Sequence, residues 1–292
     1  MIAMPALPSH LPWHLRAYLV LDAVRLPDLA ERLQHWPNPK EYLYVTTRWH
    51  ALVDISPCLI SLSGPDDPVL SYFKVNAEIE PGYLLFTQTD AATLSTFLRS
   101  LIVVQHPSGD EVMMRMADPA VLHQLISASE NPLDSRWLGP SEQICLPDGL
   151  HVQWLEHKRP ASAVATVPNT LRLSDQELTA LGEVEFRRFV LRLTRHMTTY
   201  FPDVMAQFSE TERRIRAYKL AQMAYSQGFY SVREVTLYAN VLCLLVNEGV
   251  DSYPDIHHLL NQPSTTQTPL ERVTLAAELA QAYRLAAQGQ PQ

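Results

Sequence analysis

Cys58 follows His50 and Asp54 within eight residues, and thiol, imidazole and carboxylate are the groups of a cysteine nucleophile, its base and its orienter. Catalytic trios are assembled across a fold, however, and no recognised nucleophile context surrounds Cys58. The proximity carries little. His257-His258 invites a metal, yet neighbouring helical residues point about 100° apart. No Cys, His or carboxylate stands three or four residues further on to complete a ligand set, so a surface or interface pair is the better reading. The chain has no Cys-x-x-Cys, no His-Glu-x-x-His, no Gly-x-Ser-x-Gly elbow and no phosphate-cradling loop, and nine glycines are few for a nucleotide fold. No catalytic, metal or cofactor site is expected. The balance leans toward a protein that binds.

Three sets of side chains are candidates for contact with a partner. Arg115 and Asp118 form the most motif-like charged pair. An Asp before Pro119 caps a helix, worth about 1 kcal/mol, which favours an internal tie between a strand end and a helix start over a partner contact. Arg188, Arg192 and Arg195 are spaced by four and three and share one helix face, a solvated face or a site for an acidic segment. The five tryptophans all precede residue 160, and Trp137, beside Gly139-Pro140, is the candidate interface anchor.

These side chains must be positioned by alternating elements. Apolar runs at 18–23, 42–45, 59–62, 83–87, 101–105 and 112–116 read as strands, and 28–35, 69–75, 91–98 and 120–127 read as helices. Interleaving of this kind predicts an α/β layer structure around a mixed sheet over residues 1–156. The segment 157–170 holds two prolines and small residues without periodicity, the character of a linker. Beyond it, four capping boxes stand at Ser174/Glu177, Ser209/Glu212, Ser231/Glu234 and Thr268/Glu271. Phe186, Phe189, Val190, Leu193, Met197, Tyr200 and Phe201 fall on one helical stripe. Residues 171–292 are therefore expected to be all-helical, and the whole chain α+β.

Composition narrows the partners. The 292-residue chain is 47% hydrophobic and carries a formal net charge of -8. Residues 1–170 hold 11 Lys+Arg against 18 Asp+Glu, and residues 171–292 hold 12 against 13. Nucleic acid wants a basic footprint and is not an expected partner. No window approaches the 18 consecutive apolar residues of a membrane span, and the proline-broken start Met1-Ile2-Ala3-Met4-Pro5 is unlike a secretory signal. Cytoplasmic residence is the expectation. Cys58, Cys145 and Cys243 are widely separated in apolar settings, which predicts buried free thiols.

The most ordered signal runs from Val103 to Pro119: a strand, the turn Pro107-Ser108-Gly109-Asp110, a second strand, and an Asp118-Pro119 helix start, with Leu138-Gly139-Pro140 about twenty residues later. Together with the leading strand Leu19-Val20-Leu21-Asp22-Ala23 and the helix around Leu94 to Arg99, this order resembles the type VI secretion effector-adaptor (Tap-type) family over roughly residues 17–140. The chain departs from the family at Ser56-Pro57-Cys58-Leu59, where Gly-Pro and a bulky aromatic are usual. The resemblance implies a non-enzymatic adaptor or chaperone that binds a cognate type VI effector and loads it onto a VgrG or PAAR spike protein. An immunity-type toxin-neutralising protein and an enzyme with a dispersed site are the alternatives.

Overall fold

A computed structural model of the chain describes residues 4–129, 131, 133–162 and 171–288. Two compact units divide the chain, Met1–Val184 and Glu185–Gln292. Residues 163–170 of the expected linker lie outside the described residues, and its first two residues belong to the last strand of the first unit.

The first unit is built on a six-stranded sheet: β1 (Arg16–Leu21), β2 (Lys40–Tyr42), β3 (Cys58–Leu62), β4 (Gly82–Thr87), β7 (Gln143–Asp148) and β8 (Gln153–Lys158), in the order β2-β3-β1-β4-β7-β8. A separate hairpin joins β5 (Val103–Gln105) and β6 (Glu111–Met113). Helices α1 (Leu29–His35), α2 (Pro68–Asn76), α3 (Ala91–Ser100) and α4 (Pro119–Ser127) connect them. All strand pairs of the sheet are antiparallel, not mixed as the alternation of strands and helices suggested. The reason is topological. The α2 crossover joins β3 to β4, which do run parallel, but β1 is inserted between them and pairs antiparallel with both. The strands β7 and β8 had no counterpart in the sequence reading, because Pro147 interrupts the first run and proline argues against a strand interior.

Burial on both faces explains why the strands read as nearly continuous apolar runs. Tyr18, Val20, Tyr83, Leu85 and Ile144 pack on one face with α3 and α4, while Leu19, Leu21, Leu84, Phe86 and Cys145 pack on the other with α1 and α2. Ser56 is buried, and its hydroxyl accepts from the Tyr44 amide (3.0 Å) and donates to the Pro57 carbonyl (2.9 Å). All three cysteines are buried and free. Burial pushes the Cys58 and Cys145 thiols up to about 12 and Cys243 to about 11.

Helix α5 (Asp175–Tyr200) spans the division between the units. It is followed by α6 (Pro202–Met205), α7 (Glu210–Ser226), α8 (Val232–Leu244), α9 (Pro254–Asn261) and α10 (Pro269–Gln288). All four expected capping boxes form. On α5, Phe189, Val190, Leu193, Met197 and Phe201 are buried as the stripe requires, whereas Tyr200 is 68% exposed. The helix ends at Tyr200, and Phe201, the next residue, is the one that is buried. No helix is long and apolar enough to cross a membrane among the described residues.

Candidate functional site

The motif charges converge on the junction between the turn after β1 and the start of α4. Asp22 is buried. Its backbone N–H donates to the Pro81 carbonyl (2.8 Å), and its carboxylate accepts from the Val24 amide (2.9 Å) and from Arg115 Nη2 (2.7 Å). Asp118, equally buried, caps α4 by accepting from the Ala120 and Val121 amides (3.0 and 3.4 Å), and its second oxygen lies 3.6 Å from Arg25 Nη2. The pairing is reciprocal: each aspartate fixes its own turn and is neutralised by the arginine of the other turn. Tyr83 adds a third link, its hydroxyl donating to the Met116 carbonyl (3.0 Å) from complete burial that raises its pKa.

Arg115 and Asp118 are adjacent at this junction, the arginine reaching Asp22 and the aspartate paired with Arg25. Their direct link is the Asp118 amide donating to the Arg115 carbonyl (3.0 Å). Asp22 was visible only as part of a motif, and Arg25 carried no signal, because its partner lies on an element far away in sequence. Arg115→Ala is expected to lower stability by roughly 1–3 kcal/mol, the cost of leaving a buried carboxylate short of a partner. Asp118→Ala should cost about 1 kcal/mol through the lost cap alone. Chemical denaturation of the single and paired variants checks this. Arg115 should couple more strongly to Asp22 than to Asp118, and the reverse order would refute the crossed arrangement.

Trp137 is 2% exposed, so it presents no face to a partner in this state. Its indole Nε1 donates to Glu177 Oε1 (2.6 Å), which also accepts from Arg136 Nη2 (2.6 Å). On α5, Arg188 pairs with Glu185, while Arg192 and Arg195 are exposed. Among the described residues, Arg192 and Arg195 have no acidic partner, so the stripe offers two unpaired cations rather than three. His257 and His258 are both exposed, with His257 Nε2 3.5 Å from Asp251.

A titratable pair that the sequence did not suggest joins α4 to β8: His123 Nδ1 lies 2.9 Å from His157 Nε2. Burial, and then the neighbouring His123, depress His157 to about 4. No group of three or more metal-type side chains occurs among the described residues. Because protonation of His157 is disfavoured in the fold but free in the unfolded chain, stability should fall as pH drops from about 6.5 toward 4, by up to about 2 kcal/mol at pH 5. Melting curves at pH 7.5 and 5 should show this loss in the native chain and a smaller one in His157→Leu. Parallel losses in both would exclude the pair as its source.

Residues 17–134 match the family described as a domain of unknown function, DUF4123. The matched stretch begins in β1 and contains every member of the crossed ion pairs. Over 277 residues the chain is 30% identical to the accessory protein VasW of Vibrio cholerae serotype O1, covering 91% of this chain and 88% of that relative. No solved structure is a significant match.

Proposed function

Because the chain belongs to the type VI secretion effector-adaptor family, we propose that it works by binding: it holds a cognate effector and passes it to a VgrG- or PAAR-type spike protein from the cytoplasmic side. The observation that carries this reading is the reach of the similarity, which spans 91% of the chain and so takes in both units. The internal use of the motif charges supports it, since Asp22, Arg25, Arg115 and Asp118 hold the first unit together and leave the outer surfaces to partners. Three buried thiols, held protonated at neutral pH, offer no nucleophile.

Loading requires differential affinity. The adaptor must bind the effector well enough to shield it, and spike contacts must replace its own for release to follow. In the native host, removing the gene should abolish export of one effector while others still leave the cell. The purified full-length chain should bind that same effector. Unchanged export of every effector in the deletion strain would defeat the reading.

A further inference from the structure

The helical unit carries an apolar groove of about 510 Å³ between α7 and the end of α8. Leu220, Leu242 and Leu245 form part of its lining, together with Ile215 and Met223 of α7. Ile215 and Met223 remain 43% and 49% exposed, although their spacing of eight, with Lys219 between, places them on one helix face. Every lining position on α7 falls on that face: 212, 215, 216, 219, 220 and 223, a span of roughly 16 Å or three turns. Among the side chains at its edge, Arg216 lies over the Phe208 ring at 5.0 Å, with its buried Nε lacking a hydrogen-bond partner. Neither Arg216 nor Lys219 has an acidic partner among the described residues. Glu212, the one acid of the lining, is engaged by the Ser209 amide and hydroxyl in a capping box.

We propose that this groove receives an amphipathic helix of the effector, with apolar side chains at i, i+3 or i+4 and i+7 and an acidic residue set against Arg216 and Lys219. The inference rests on the adaptor reading and adds the place and the chemistry of recognition. Charge complementarity selects an acidic flank. The form of the occupant follows from the walls: one is α7 and the other is the end of α8 with the turn that follows it, and no strand borders the groove among the described residues, so no strand edge is available for pairing. A segment buried here must bring its own backbone hydrogen bonds, and a helix does. The volume lies within the range of binding clefts, about 300–1,000 Å³, and the flexible thioether of Met223 can adapt to different apolar faces.

The test uses the full-length chain and the effector whose export the deletion strain loses. Ile215→Glu, Met223→Glu and Lys219→Glu should each weaken effector binding tenfold or more with the melting temperature unchanged, while Val232→Glu, exposed outside the groove lining, binds like the native chain. Replacing the facing acid of the effector helix with lysine should restore binding to Lys219→Glu. Native-like effector binding by the groove variants would overturn the groove and leave the adaptor reading intact. Loss confined to self-association or to spike binding would likewise overturn it. If the native chain binds no effector at all, the adaptor reading fails and this inference with it.

Discussion

Glu177→Ala is expected to lower the melting temperature of the first unit by about 10 °C. Glu177 is 1% exposed and serves two structures at once. One oxygen accepts from the Ser174 amide (2.8 Å), closing the capping box that starts α5. The other accepts from Arg136 and from the Trp137 indole, both at 2.6 Å. Alanine removes the carboxylate from all of these donors. Breaking a buried ion pair costs about 3–5 kcal/mol, and a buried indole N–H without an acceptor belongs to the same order. At roughly 2–4 °C per kcal/mol for a unit of this size, the shift is large. Glu271 provides the control, since it closes the same box at an exposed helix start with no second set of donors. Glu271→Ala should cost about 1 kcal/mol. Equal shifts for the two variants, read by thermal denaturation, would mean that the Arg136 and Trp137 contacts contribute nothing beyond the cap.

Gly139→Ala is expected to cost about 2–4 kcal/mol. Gly139 has φ of +54°, and a Cβ built there would lie 2.4 Å from the ring of Phe97, itself buried under the sheet. The left-handed backbone accounts for about 1 kcal/mol and the forced displacement of a packed ring for about 1–3 kcal/mol. This explains why glycine precedes Pro140 at the point where the chain turns toward β7. The two contributions separate in a Phe97→Leu background, where the smaller side chain should relieve the clash and leave the backbone cost. An unchanged penalty in that background would eliminate the steric part.

What could be read from the sequence was what is settled within a few residues. The four capping boxes needed only a Ser or Thr and a Glu three positions later, and the Asp118 cap needed only its own helix start. The apolar runs placed β1, β3 and β4 within two residues of their ends. Pairings across long separations were invisible: Arg115 reaches back 93 positions to Asp22, and Trp137 reaches forward 40 to Glu177. The tryptophan favoured as an interface anchor is therefore a core donor, a distinction that composition and turn signals do not carry. Sheet direction was misread because a βαβ alternation looks the same whether or not a third strand is inserted between its partners. The groove on α7 was hidden for a related reason. Ile215 and Met223 have the spacing of ordinary core positions, and only the tertiary arrangement decides which apolar face is left uncovered.

The place of β1 at the middle of the sheet also bears on how the protein is made. β1 is the first strand to leave the ribosome, yet its two neighbours, β3 and β4, end 41 and 66 residues later, at Leu62 and Thr87. At synthesis rates of about 5–20 residues per second, this apolar strand waits roughly 2–8 seconds with both edges unpaired and roughly 3–13 seconds before the second edge is covered. The nascent chain is most vulnerable to aggregation in that interval. Pausing of translation between residues 22 and 87 should lower the soluble yield, whereas a pause after residue 148, when β7 has joined β4, should be tolerated.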